Sequence, residues 1–364
     1  MHSLEEARKI INETDAKMAE LFYTRMKASE AVCAYKKEHG LQIRDAEREA
    51  EVIRRNAARI ADKTIREYYV QFLSENMALS RAYQERLLTG MKVAYSGTEG
   101  AFAHIATCKL FPFAQKLSYP DFSTAYMAVQ NGECDVAVLP VENSYNGEVG
   151  QVTDLMFSGS LYVNYMTELA VTQDLLVVPG ATHSDIKEVV SHPQALGQCA
   201  TYIKEKGFIS REYTNTALAA KYVAERADKS VAAIASAEAA EIFGLDVLDK
   251  NINASPNNTT RFAVFSRAEN TYSKKETNIH TILMFTVRNE AGALAKAIDI
   301  IGQHNFNMIS LRSRNMKELL WQYYFYVELE GGISAENAKE MLEQLHSCCD
   351  KLKIAGSFKK ERSF

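Results

Sequence analysis

The chain has 364 residues, with 42 Lys and Arg against 46 Asp and Glu and a formal net charge of -4. That length fits two or three domains, and the near-neutral charge without a polybasic run excludes a nucleic-acid partner, because phosphate neutralisation needs clustered Lys and Arg. A hydrophobic fraction of 47% with 17 Gly and 6 Pro describes a chain that buries real cores.

The amino terminus, MHSLEEARKI, lacks the apolar stretch of a signal peptide, and no apolar run reaches the length of a membrane span. A cytoplasmic chain with no membrane partner is expected. Cys33, Cys108, Cys134, Cys199, Cys348 and Cys349 form no Cys-x-x-Cys pair, so they read as reduced core residues and no metal site is expected.

From Leu4 to Leu88 there is one glycine, Gly40, and no proline, with charged and apolar residues at helical spacing. The spacing predicts helices over 3–38, 45–61 and 64–88 in a domain spanning 1–89. Gly40 serves as a terminator, and Thr64-Ile-Arg-Glu67 matches a capping box. A heptad register on the first helix places Leu4, Ile11, Met18, Arg25 and Val32 on one seam line and Ala7, Thr14, Leu21, Ala28 and Tyr35 on the other. Arg25 interrupts the apolar line, which alone fits a device that fixes register or oligomer state. Lys36 follows about three turns later on almost the same stripe, whereas Arg8 is rotated roughly 100° away and more easily reaches a neighbouring chain. Asp45, Arg48 and Glu49 open the second helix at i, i+3, i+4, and Ser80 and Gln84 form an i, i+4 pair on the third.

Together these residues resemble the all-helical chorismate mutases, over essentially all of 4–88. The resemblance implies a dimer with a long helix shared between two sites, Arg8 coming from the other chain. It implies a substrate, chorismate, whose pericyclic rearrangement requires no nucleophile, metal or cofactor, only positioning and electrostatics. In that reading Arg8, Arg25 and Arg48 clamp the two carboxylates with help from Ser80. Lys36 and Gln84 donate to the breaking ether oxygen, and Asp45 and Glu49 hold the ring hydroxyl. A millionfold gain needs roughly 8 kcal/mol of differential stabilisation, within reach of a few desolvated charge-assisted bonds.

After Gly90 the pattern changes to short β-branched runs, Val93-Ala-Tyr, Asp135-Val-Ala-Val-Leu and Glu188-Val-Val, each followed by polar loops and helical stretches, which is α/β punctuation. Four segments put polar residues where a strand-like run stops: Ser96–Phe102, Pro140–Ser144, Ser191–Gln194 through Gln198-Cys199, and Thr259–Phe262. In open α/β sheets ligands bind at such strand ends, although any one segment alone fits ordinary capping and turn chemistry. Pro193 suits a first helical turn, with Ser191 and free amides near a positive dipole end. The blocks AYSGTEGAF, LPVENSYNGEVGQVTDL, SHPQALGQC and NNTTRFAVF resemble, in order, those of prephenate dehydratases, over 91–267. The resemblance implies two α/β lobes around a cleft, like a periplasmic solute-binding protein, with crossings near 168–177 and 260–265. It implies conversion of prephenate to phenylpyruvate, with Thr260 as donor to the departing hydroxyl and Glu142, Asn143, Ser191, Gln198 and Arg261 binding substrate. His192 reads as a structural residue of its motif.

The polar stretch from Phe265 to Asn278 reads as a linker. Beyond it, strand-like 279–287, helix-like 292–304, strand-like 307–313, the aromatic run Trp321–Leu329 and helix-like 334–347 predict the β-α-β-β-α-β order of an α+β ferredoxin-like domain over 278–358. This part resembles an ACT domain, which implies phenylalanine bound between paired copies through Gly292, Ala293, Leu294 and Ser313. The second motif reads Arg312-Ser313-Arg314-Asn315, where many relatives have Glu-Ser-Arg-Pro, so Arg312 replaces an acidic residue. The whole is therefore expected to be a homo-oligomer, a dimer or a dimer of dimers, acting on chorismate and prephenate with phenylalanine as effector. Two rival readings are an arogenate-preferring dehydratase joined to the mutase and a non-catalytic amino-acid sensor. The charged groups in the helical seam argue against the sensor, since a mere dimeriser would be more stable with apolar residues there.

Overall fold

The computed structural model describes residues 3–254, 257–273, 276–316 and 322–360, and it divides into two compact units, 1–91 and 92–364. In the first unit α1 (Leu4–Glu38) begins at a capping box in which the Ser3 hydroxyl and the Glu6 carboxylate each satisfy the other's backbone N–H. It ends before Gly40, whose φ of +64° lets Leu41 N–H turn back to the Lys36 carbonyl. Helix α2 (Ala46–Ala57) is capped by Asp45. Helix α3 (Lys63–Thr89) is capped by Asp62, which accepts from Ile65 N–H at 2.9 Å. Thr64 is thus inside the helix: a carboxylate two residues earlier offers the stronger acceptor to the open amides, and the expected Thr64–Glu67 box does not form. The second helix is also shorter than expected, because the chain after Ala57 closes in tight turns, Arg59 N–H to Asn56 O and Ile60 N–H to Ala57 O.

The second unit starts with a lobe made of β1 (Lys92–Ser96), α4 (Phe102–Leu110), β2 (Gln115–Tyr119), α5 (Phe122–Gln130), β3 (Val136–Asn143), β4 (Gly147–Glu148), α6 (Gly150–Ser158) and β5 (Tyr162–Ala170). The chain then builds another lobe from β6 (Asp174–Val177), β7 (Glu188–Ser191), α7 (Pro193–Gln198), α8 (Ala200–Lys206), β8 (Ile209–Glu212), α9 (Thr216–Arg226), β9 (Val231–Ala235), α10 (Ala237–Phe243) and β10 (Asp246–Asp249). It returns to the first lobe as β11 (Thr259–Ser266). The first sheet runs β2-β1-β3-β11-β5 with β4 paired to β3, and the second runs β10-β6-β9-β7-β8. The lobes are therefore joined by the chain leaving β5 and by the chain entering β11. The expected crossing at 260–265 is instead an interior strand of the first lobe, antiparallel to both β3 and β5, and the return passes through the residues before it.

The expected linker is partly fixed. Arg267 donates to the carbonyls of Val129 and Cys134 at 2.5 and 2.7 Å, and Asn270 bonds Asn164. The C-terminal part is β12 (Ile279–Thr286), α11 (Ala293–Gln303), β13 (Asn307–Asn315), β14 (Tyr323–Glu330), α12 (Glu336–Cys348) and β15 (Lys351–Lys359), with sheet order β13-β14-β12-β15. Trp321, which opens the expected aromatic strand, lies outside the described residues. Strand β12 reads IHTILMF with no exposed residue, as a strand covered on both faces must. Leu283 and Phe285 pack under the two helices with Ile301 and Leu345, while Ile282 and Met284 join a core containing Met156, Phe157 and Phe265 of the first lobe. The close approach requires Gly356, where a Cβ would stand 2.2 Å from the Val163 carbonyl oxygen.

Candidate functional site

In the helical unit, α1 and α3 bring Arg25, Ser80 and Gln84 together. The Arg25 guanidinium donates to the Ser80 hydroxyl and, at 3.5 Å, to the Asn76 carbonyl, and burial pushes its pKa down. Gln84 donates to the Ser80 carbonyl at 3.3 Å, while its own side-chain carbonyl is buried without a partner, as is that of Asn76. A buried acceptor left without a partner costs stability, which a donor placed there would recover. Asn76 was not singled out in the sequence, although its i, i+4, i+8 spacing with Ser80 and Gln84 is legible there. Lys36 donates to the Ile43 carbonyl; Glu49 pairs with Arg81 at 2.5 Å; exposed Arg48 pairs with Glu51 at 2.6 Å. Asp45 is committed to its cap, accepting from Arg48 N–H at 2.9 Å. Arg8 is exposed and lies seventeen residues from Arg25 on one helix, roughly 25 Å along the axis, so the two do not meet within one chain.

In the second unit a cleft of about 430 Å³ opens between the lobes. Thr260 and Phe262 of β11 and Pro140 and Asn143 of β3 form one wall, and His192, Gln194 and Gln198 stand on the other lobe. The Asn143 amide donates to Thr260 Oγ1 at 3.0 Å and to Asn258 Oδ1 at 2.8 Å, and Asn258 donates to Gln198 Oε1 at 3.2 Å. One hydrogen-bonded chain thus ties the buried Thr260 to the opposite lobe. Among the described residues no Lys or Arg lines the cleft; instead the N-cap residues of four helices do so: Ala101 of α4, Val149 of α6, His192 of α7 and Asn215 of α9. Ala101 and Val149 make no side-chain cap bond, so the first amides of α4 and α6 stay available to an anion. His192 caps α7 through Nδ1, which accepts from Gln194 N–H at 3.3 Å, and still faces the cleft.

Three expected ligands turn elsewhere. Ser191 is fully buried and donates to the Ile234 carbonyl at 2.5 Å, inside the second lobe. Glu142 and Arg261 lie on the reverse face of the first sheet, because each is the strand neighbour of a cleft residue and side chains alternate along a strand. Arg261 makes a two-pronged pair with Glu328 of β14 at 2.9 and 3.1 Å and sits 3.6 Å from Glu142, which also receives Arg312 at 2.5 Å. Burial works against the charge on Glu328, but His280 and Arg261 outweigh it and hold the carboxylate down at about 2. Glu148, Asn215, Asn258 and Gln173 also line the cleft and were not anticipated; Glu148 and Asn258 lie inside recognised blocks, so position relative to the strand end was the missing signal.

In the C-terminal sheet a cavity of about 560 Å³ is lined by Val287, Asn289, Leu294, Met316, Tyr323 and Phe325 among others. Gly292 caps α11 with φ +84°, placing Ala293 at the first helical position, and Ser313 on the edge strand is registered opposite Phe325. Of the four expected residues Leu294 lines this cavity; Gly292 and Ala293 precede it in the chain, and Ser313 is the strand partner of the lining Phe325.

A mutase-type helical unit and a two-lobed cleft with anion-receptive helix ends define an enzyme of two chemistries on one chain. The family model for type II chorismate mutase matches residues 7–85, and that for prephenate dehydratase matches 93–270. A bifunctional chorismate mutase/prephenate dehydratase from Aquifex aeolicus is 30% identical, with 99% of each chain covered. An arogenate dehydratase/prephenate dehydratase of Arabidopsis thaliana is 30% identical over 84% of each. The structure of prephenate dehydratase from Arthrobacter aurescens in complex with L-Phe superposes with a TM-score of 0.68 at 25% identity, covering 74% of this chain and 90% of that one. The chain belongs to the bifunctional chorismate mutase/prephenate dehydratase family. Among the described residues no helix is long and apolar enough to cross a membrane.

Proposed function

We propose that the chain rearranges chorismate to prephenate in its helical unit and converts prephenate to phenylpyruvate in the two-lobed cleft, as a cytoplasmic enzyme of phenylalanine biosynthesis. In the helical unit Arg25, with Ser80 beside it, takes one carboxylate, and Arg48 and Arg8 of a second copy take the other. Gln84 and Lys36 donate to the ether oxygen as its bond breaks and negative charge grows there; Asp45 and Glu49 hold the ring hydroxyl. No covalent step is asked of the protein.

In the cleft, the open amides of α4 and α6 seat the substrate carboxylates. Loss of the ring carboxylate as carbon dioxide pushes its bonding electrons into the ring and expels the hydroxyl, which takes up one proton and leaves as water. Asn143 fills an acceptor position on Thr260, so the Thr260 proton is the donor aimed at the leaving oxygen. A hydroxyl is a weak acid, and its contribution is a hydrogen bond in a site where Asn258 and Gln198 fix its orientation. The observation that carries this reading is the chain Thr260–Asn143–Asn258–Gln198 crossing between lobes at four helix N-termini.

The domains follow as 1–89 for the mutase, 91–267 for the dehydratase and 278–358 for an ACT regulatory module. The cavity beside Gly292 supports phenylalanine as its effector, and the Arg312 substitution is accommodated because its charge is matched by Glu142 within the same chain. Purified chain supplied with chorismate should form prephenate and then phenylpyruvate, followed by absorbance of each product. Failure to consume chorismate would remove the mutase assignment, and accumulation of prephenate without phenylpyruvate would remove the dehydratase.

A further inference from the structure

Among the described residues two ionisable side chains line the cleft, Glu148 and His192. Glu148 is registered opposite Glu142, and its carboxylate turns to Arg314 Nη1, 3.8 Å away. His192 stands on the other lobe, and the chemistry above leaves it unused. Its position is fixed from both sides. Before it, the buried Ser191 anchors the end of β7 by donating to the Ile234 carbonyl. After it, Pro193 confines the His192 backbone to the extended region, where its φ of -61° and ψ of 141° fall. The ring is held by Nδ1, which accepts from Gln194 N–H at 3.3 Å. A ring nitrogen that accepts carries no proton, so in the neutral imidazole the proton sits on Nε2. His192 thus brings to a cleft without Lys or Arg a preset N–H donor that no described residue engages.

The dehydratase substrate carries its hydroxyl and its two acid groups at opposite ends of one six-membered ring. The hydrogen-bonded chain from Thr260 through Asn143 and Asn258 ends on Gln198, the last residue of α7, whereas His192 precedes the first. The two lie about 9 Å apart along the helix axis. A hydroxyl held at the Thr260 end therefore puts the acid groups toward the His192 end. We propose that His192 is a substrate-binding residue whose Nε2–H donates to the side-chain carboxylate, the one that the product keeps. This rests on the dehydratase reading. A donor on the ring carboxylate would stabilise charge that must flow into the ring as carbon dioxide leaves, whereas the side-chain carboxylate keeps its charge throughout. The bond to it tightens substrate and transition state alike, so its loss falls on KM. Because Pro193 and Gln194 have already ordered the donor, little ordering cost is left to binding.

The test separates this donor from the cap that the same ring provides. Asparagine is a preferred N-cap residue, but its amide ends near the place of Nδ1; glutamine carries an amide N–H out to the place of Nε2 and is not a preferred cap. In the full chain supplied with prephenate, His192→Asn should raise the dehydratase KM about tenfold or more, the scale of one hydrogen bond to a charged group. Inhibition by phenylpyruvate, which has the same carboxylate and neither the ring carboxylate nor the hydroxyl, should weaken by the same factor. His192→Gln should recover part of both. A residue that merely caps α7 gives the reverse order, Asn equal to the parent and Gln impaired, and that order overturns the proposal. A loss confined to kcat overturns it too, as does phenylpyruvate inhibition that stays at the parent value while KM rises. A parent chain that leaves prephenate unconverted overturns the dehydratase reading itself.

Discussion

Thr260 and Arg261 are adjacent in the chain and serve opposite faces of β11, one turned to the cleft and the other to the Glu328 carboxylate of the C-terminal sheet. Replacing the Thr260 hydroxyl by a methyl group therefore removes a cleft donor while keeping the β-branched shape the strand packs around. Thr260→Val should cut dehydratase turnover by about two orders of magnitude or more, the scale on which single positioned donors matter. Chorismate supplied to this variant should end as accumulated prephenate, measured by acid conversion of the product pool. Strand alternation also explains what the sequence left out of reach. The blocks Pro140–Ser144 and Thr259–Phe262 located the cleft wall, but reading Glu142 with Asn143 and Arg261 with Thr260 put both members of each neighbouring pair in one site. A period of two allows only one of each. Ser191 misled for another reason: it ends a strand beside the helix that Pro193 begins, yet its hydroxyl donates inward to the Ile234 carbonyl of β9.

At the scale of elements, the reverse face of β3 and β11 is joined to β12, β13 and β14 by buried charges. Glu328 is 1% exposed and held at about 2, below its ordinary 4.5, by His280 and Arg261 against the pull of burial. A carboxyl depressed in the folded state contributes stability that is fully present above its unfolded value and is lost as pH falls through the folded one. Acid unfolding of the parent should thus steepen from about pH 4.5 down to about 2, and Glu328→Gln should flatten that limb. The same variant leaves Arg261 buried beside a neutral amide and should lower stability at neutral pH by about 3 kcal/mol, read from urea midpoints. Gly356→Ala attacks the same contact sterically, since its Cβ would meet the Val163 backbone and its φ is +144°. It should cost about 3 kcal/mol or more, with the denaturation of β12–β15 separating from that of the lobes. The order of these elements was readable from period and punctuation; their docking was not, because nothing local to β15 announces which strand it will lie against. Helix starts show the same limit on a smaller scale, where Asp62 outcompeted Thr64 for α3.

At the scale of the whole molecule, α1 buries a single side chain, Cys33, within its own unit. Met18, Leu21 and Phe22 of α1 and Phe72 and Leu79 of α3 stay exposed around an apolar cavity of about 550 Å³ that also contains Arg25. The heptad register gave Met18 and Leu21 a seam to occupy, with Phe22 beside it, and one chain does not supply its other side. Fully burying a large apolar side chain is worth about 1.5–3 kcal/mol, so a symmetric partner covering this set from both copies gains enough for a stable pair. That partner also answers the 25 Å question, since only a second α1 brings an Arg8 to the Arg25 site, about seventeen residues of helix away. Phe22→Glu with Leu79→Glu should abolish mutase turnover while the dehydratase still converts supplied prephenate. A sharper outcome comes from mixing. Arg8→Ala and Arg25→Ala should each be inactive as mutases, yet chains of the two variants, denatured together in equal amounts and refolded, should recover about one quarter of the parent activity. Half of the dimers are mixed in random assembly, and each mixed dimer holds one site with both arginines and one with neither. Recovery of that size, measured against separately refolded variants, places Arg8 across the seam; no recovery would mean that each chain builds its mutase site alone.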